Sequence, residues 1–191
     1  VGLKWAGEVG GFKLAAAASY YQTTEVKRTA ANNMNGVSYY QVGAYAQHIA
    51  TGLFVYGAYG HEDTDFTAAF KTANPTAATS ADNWYVKAGI RQKWTPFGAT
   101  VLFGEYGEKL DAINYGTFST NATGSKLSQW GVGVVQEIDA AAMSMFLVYR
   151  NFDAEFTCAA ACTAGGAVAG TSTKWNSDNM QVLKFGALIN F

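Results

Sequence analysis

Lys87, Arg91 and Lys93 occupy odd-numbered residues of the segment Trp84-Tyr85-Val86-Lys87-Ala88-Gly89-Ile90-Arg91-Gln92-Lys93-Trp94. Alternate side chains of an extended chain share a face. The three bases therefore stand with Tyr85 and Gly89 on one surface, and Trp84, Val86, Ala88, Ile90, Gln92 and Trp94 form the other. Successive bases are about 7 to 14 Å apart at ~3.3 Å per residue. Such a ladder either pairs with carboxylates on neighbouring strands or holds a positive field along one wall. Lys4, Lys13, Glu105, Glu137, Arg150 and Lys184 fall on the corresponding face of their own segments.

Other reactive side chains are few. His61-Glu62-Asp63 offers a base beside acidic groups, but no Gly-x-Ser-x-Gly nucleophile motif accompanies it. Cys158 and Cys162 are too few for a metal site, and neither His48 nor His61 is near them in sequence. No phosphate-cradling glycine loop stands out. The reading is therefore of a protein that is not an enzyme, with no metal and no cofactor.

The elements that position these residues follow from composition and period. Of 191 residues, 14% are charged, against roughly 25% in soluble domains. The apolar fraction of 49% and aromatic fraction of 15% exclude a disordered chain. Thirteen Lys and Arg balance fourteen Asp and Glu, for a net charge of −1, which argues against a nucleic-acid binder. No stretch reads as a helical span of about 20 apolar residues. The chain opens at Val1 with no visible signal peptide; either one was removed or the chain starts inside a longer protein.

Period-two alternation recurs from end to end. Phe12, Leu14, Ala16, Ala18 and Tyr20 alternate with Lys13, Ala15, Ala17, Ser19 and Tyr21. Tyr39 to Gln47, Gln129 to Ile138 and Met143 to Arg150 behave alike, while Leu53–Glu62 and Phe97–Lys109 are strand-like but apolar on both sides. In the last of these, Leu102 and Tyr106 are read as outward and Glu105 as inward. Short connectors at Val9–Gly11, Ala50–Gly52, Thr95–Gly98 and Asp139–Ala141 alternate strictly with long ones at Thr23–Gly36, Asp63–Asp82, Leu110–Lys126 and Phe156–Asn179. The expected fold is all-β, a transmembrane antiparallel up-and-down β-barrel in one domain. A soluble sandwich also alternates, but its solvated face is rich in charge; here that face is mainly Gly, Tyr, Ser and Gln with a few bases. Ten residue steps from Trp84 to Trp94 span about 33 Å, or about 25 Å at a tilt of roughly 40°, close to the apolar height of a membrane barrel.

The chain closes with Leu183, Phe185, Ala187, Ile189 and Phe191 on one face. This resembles the last strand of Gram-negative outer-membrane barrels, and Phe103-Gly104-Glu105-Tyr106-Gly107 and Val148-Tyr149-Arg150-Asn151-Phe152 resemble strands of the general porins. About nine strands, the first descending, correspond to the C-terminal portion of a barrel of about 16 strands; bacterial single-chain barrels are even-numbered. A rival count sets Gly2–Glu8 aside as an extension and leaves a small eight-stranded barrel with a structural or adhesive role and no open pore.

The resemblance implies a water-filled channel for passive diffusion of small hydrophilic solutes and ions. Its implied partners are outer-membrane lipid and lipopolysaccharide, and two further copies in a homotrimer. The charged lining would be Lys13, Lys87, Arg91, Lys93, Glu105, Glu137, Arg150 and Lys184, tilted toward anions. Trp84, Trp94, Trp130 and Phe191 would stand in the aromatic girdles. In that secreted setting Cys158 and Cys162 read as a disulfide in an outer loop, with free thiols the alternative.

Overall fold

Alternating small and apolar residues favour pleated strands wherever each side chain can find a distinct environment on its own face. The computed structural model describes residues 1–24, 34–73, 75, 78–112, 122–158, 163–164, 167–168 and 174–189. Its long strands are β1 (Gly2–Val9), β2 (Phe12–Thr24), β3 (Met34–His48), β4 (Leu53–Phe66), β5 (Ser80–Thr95), β6 (Gly98–Leu110), β7 (Ala122–Ile138) and β8 (Met143–Cys158). Three short strands follow, β9 (Thr163–Ala164), β10 (Ala167–Val168) and β11 (Lys174–Asn176), before the long β12 (Met180–Ile189). Among the described residues a single helix, α1 (Ala68–Ala73), lies between β4 and β5, and a 3-10 turn spans Asp139–Ala141.

The expected all-β, antiparallel, up-and-down arrangement is the one observed. Each long strand pairs with the next from β1 to β8, and β12 then takes the free side of β8 from Met180↔Phe152 to Ile189↔Met143. β11 continues along the same side of β8 through Trp175↔Phe156, while β9 and β10 pair apart. β1 is a paired strand over its whole length, from Gly2↔Ser19 to Val9↔Phe12. Among the described residues the far edges of β1 and β12 have no strand partner, so the sheet is open there.

Short connectors fall at one end of the sheet and long ones at the other. The tightest is Gly10-Gly11, with φ of 57° and 82°. A two-residue hairpin whose twist matches its strands needs both central residues left-handed, which glycine reaches without a Cβ clash.

The described residues form no core in the usual sense. Buried apolar side chains among the described residues are limited to Phe66, Ala99, Val148, Phe156 and Cys158. The accessible surface is 11887 Å², where a compact soluble chain of 20.4 kDa would show roughly 8,800 Å². The structure is one layer of sheet, and domains normally bury a second layer against the first. What covers its two faces therefore decides what the protein is.

Candidate functional site

The pairing registers sort every strand residue onto one of two faces. One face carries Leu14 and Ala16 on β2, Val42 and Ala44 on β3, Val55 on β4 and Val86 and Ile90 on β5. It continues through Leu102, Val132, Leu147 and Phe185 on β6, β7, β8 and β12. Many of these side chains are open; Val132 is 52% and Phe185 68% exposed.

A row of rings borders this apolar face toward the long connectors. It takes one ring from each of β2 to β8: Tyr20, Tyr40, Tyr59, Trp84, Tyr106, Trp130 and Tyr149. Tyr20↔Tyr40, Tyr59↔Trp84 and Tyr106↔Trp130 are direct register partners. The links between those pairs are diagonal, with ring centroids 6.2 Å apart for Tyr40–Tyr59, 5.3 Å for Trp84–Tyr106 and 5.6 Å for Trp130–Tyr149. From this row to the short turns, the apolar face of the long strands holds no Asp, Glu, Lys or Arg. Its polar groups gather at the turn end and are bonded: Thr100 donates to Gln136 at 2.6 Å, and Gln92 Nε2 to the Thr51 carbonyl at 2.6 Å. Beyond the row charge returns at once, with His61, Asp82, Glu108 and Lys126. Lys126 Nζ lies 2.7 Å from Glu108.

The opposite face collects Lys4, Lys13, Lys87, Arg91, Arg150 and Lys184 with Glu8, Glu105 and Glu137, and Lys93 stands beside them at the β5 bulge between Gln92 and Thr95. Glu105 is its centre. The carboxylate has no exposed side-chain surface, yet three groups converge on it. Arg150 Nε donates to Oε1 at 2.5 Å, and Tyr85 Oη donates to Oε2 at 2.5 Å. Lys87 Nζ stands 3.2 Å from Oε2.

Arg150 reaches Glu105 across a whole strand because its register partner on β7 is Gly131, which also partners Glu105. A Cβ at Gly131 would stand 3.0 Å from Arg150 Cγ and 3.1 Å from Glu105 Oε1. Nearer the short turns the pairing is one to one. Arg91 donates through Nε and Nη2 to the two oxygens of Glu137 at 3.0 and 2.5 Å, and Lys93 Nζ is 3.1 Å from Asp139. Lys13 Nζ is 3.6 Å from Glu8, and Lys184 Nζ lies 5.7 Å from the centre of the Phe146 ring.

Aromatic rings on this face lie against glycines of the neighbouring strand. A Cβ at Gly89 would meet Phe54, at Gly133 Phe103 and at Gly186 Phe146, and at Gly107 it would come within 3.2 Å of the Tyr85 ring. All four rings are half-buried. They lie along the sheet rather than standing away from it, so the charged face stays open above them.

The structure thus brings Lys87, Glu105 and Arg150 together, joins Arg91 to Glu137 and Lys93 to Asp139, and keeps Lys13 and Lys184 outside all three groups. Trp84 and Trp130 stand in one ring row. Trp94 is 55% exposed at the other end of β5. Phe191 lies outside the described residues, and so does Cys162; Cys158 is buried at the end of β8. His61 contacts Asp82 at 2.7 Å and Asp63 at 3.3 Å rather than Glu62.

Residue spacing along one strand missed Tyr85, Gly131 and Asp139. Their roles arise only between strands, and a glycine facing two opposite charges is the one signal they leave. No protein-family model, curated protein or solved structure matches this chain. The described residues contain no helix long and apolar enough to cross a membrane, which leaves strands as the elements to judge.

Proposed function

We propose that the sheet is part of the wall of a water-filled channel in a Gram-negative outer membrane, passing small hydrophilic solutes by diffusion. The observation that carries this reading is the charge-free apolar face, bounded on one side by the ring row. Hydrocarbon is the environment in which about twenty open apolar side chains in one contiguous band are stable; in water such a patch far exceeds the few hundred Å² that a monomer tolerates. Interfacial aromatic rings at the band's edge and charge immediately beyond it fit the same setting.

The other face fits contact with water, since every charge on it except Glu105 is at least partly exposed and its rings lie flat. Eight bases there, Lys109 included, face four carboxylates, Glu8, Glu62, Glu105 and Glu137, with Asp139 at the adjoining turn, and this bias favours anions. Within a bilayer the open edges of β1 and β12 must be paired, because no water reaches them. We assign that pairing to further strands of a larger barrel of about 16 strands, of the general porin kind and trimeric. Cys158–Cys162 is its outer-loop disulfide.

Planar-bilayer recording tests the proposal. Stable open steps with anion-favouring reversal potentials support it. A silent bilayer favours a small barrel without a pore, and purification as a monodisperse species without detergent would contradict the membrane setting itself.

A further inference from the structure

Resting on the channel reading, we infer that the Glu105 cluster is a binding subsite for monoanions that carry a flat aromatic ring, small aromatic carboxylates being the class. The cluster holds two cations and one carboxylate. Glu105 lies wholly beneath its partners, whereas the side chains of Lys87 and Arg150 are 29% and 36% exposed. Water therefore meets the two cations and not the carboxylate that binds them, and one positive charge is left over. The Arg91–Glu137 pair has no such surplus.

Geometry leaves donors for a ligand. Arg150 spends Nε on Glu105, and its Nη groups donate to no acceptor among the described residues. A guanidinium edge is matched to a carboxylate, and an ammonium beside it adds charge without constraining direction. Lys87 Nζ is fixed next to the cluster by two rings, 4.1 Å from the centre of Phe103 and 5.9 Å from that of Tyr85.

The aromatic preference comes from Tyr85. Its hydroxyl is tied to Glu105, and its ring approaches Gly107 at wall level. Tyr56 stands 5.9 Å away at 59°, making a corner on the Lys87 side. A carboxylate held by Lys87 and Arg150 would place an attached ring along the open side of this corner, where offset or edge-to-face contact is available. An aliphatic acid of the same charge gains the ionic contact alone, and an uncharged aromatic gains the ring contact alone.

The test uses the full chain in detergent with three probes, benzoate, acetate and benzyl alcohol, whose binding is read by saturation-transfer NMR. Benzoate should bind about tenfold more tightly than either of the others, each of which lacks one of the two contacts. Lys87→Met makes the pairing one to one and should bring benzoate down to the level of acetate, while Lys87→Arg should retain the preference. Equal binding of benzoate and acetate, or an unchanged preference in Lys87→Met, would overturn the subsite. Should Lys87→Met fail to fold, Tyr85→Leu against Tyr85→Phe tests the ring arm: only Tyr85→Phe should keep the benzoate preference, and its survival in Tyr85→Leu would refute the subsite. Bilayer recording separates the two claims. Open steps without benzoate selectivity remove the subsite and leave the channel, whereas selective binding with a silent bilayer removes the channel.

Discussion

Arg91 and Lys87 lie four residues apart on the same face of β5, yet their surroundings differ in kind. Arg91 meets Glu137 in a two-point, one-to-one pair in which both side chains remain partly exposed. Lys87 shares one fully covered carboxylate with Arg150 and Tyr85. The difference comes from what lies between the partners. At the Glu105 level β7 contributes Gly131, so β5, β6 and β8 meet around one acid; nearer the turns β7 contributes Glu137 itself. An ion pair with matched charge closes a wall, whereas a glycine gap that lets two bases reach one acid leaves charge over for a ligand.

The largest change should come from Glu105→Gln. It removes the one carboxylate among the described residues in reach of two partly buried cations, and breaking such a pair costs about 3–5 kcal/mol. The low end, about 3 kcal/mol, is expected because both bases are a third exposed and partly screened. Thermal unfolding in detergent would show it, and a loss below about 1 kcal/mol would make the two regions equivalent. Gly131→Val comes next. It forces Arg150 away from Glu105 while leaving Lys87 in place, for a cost of about 1–3 kcal/mol, the range for a buried polar group that loses a partner; Gly186→Val, beneath Phe146 and outside the Glu105 cluster, should leave the benzoate preference intact.

Glu137→Gln should cost less, about 0.2–1 kcal/mol, as for exposed pairs in general. Its clearer sign is functional, a rise in anion selectivity as Arg91 is released. The smallest effect concerns a third pair, beyond the ring row. Lys71 and Asn35 donate to Asp65 at 3.0 and 3.1 Å, and Lys71 above all holds its carboxyl below the ordinary aspartate value. A depressed folded-state value means that this contact stabilises above the unfolded value and is lost as pH falls through the folded one. NMR titration should find Asp65 protonating later than a free aspartate on acidification, with α1 loosening from β4 only then.

Much of this is legible in the sequence. The faces of Trp84–Trp94 follow from period two alone, and glycines and the alternation of connector lengths place the hairpins. Leu102 and Glu105 lie on opposite faces of β6 despite a segment apolar on both sides, because the registers with β5 and β7 leave one choice. Three things were hidden. Trp84 and Trp130 look like separate girdle candidates until register aligns them with Tyr20, Tyr40, Tyr59, Tyr106 and Tyr149. The sharing of Glu105 depends on Arg150, 45 residues away, and on a missing side chain at Gly131. Helix α1 lacks apolar periodicity over six residues and is anchored by a tertiary contact, the stacking of Phe70 on Phe66 at 4.5 Å.

Neighbouring positions on β7 offer the most direct test of which face meets lipid. With Cys158 and Cys162 changed to Ser, single cysteines at Val132, Val134, Gln129 and Val135 would be challenged in liposomes with a membrane-impermeant maleimide. A bilayer-embedded apolar face predicts that Val132→Cys and Val134→Cys stay unlabelled while Gln129→Cys and Val135→Cys react. Labelling of Val132→Cys and Val134→Cys with protection of the other two would place water on the apolar face and contradict the channel.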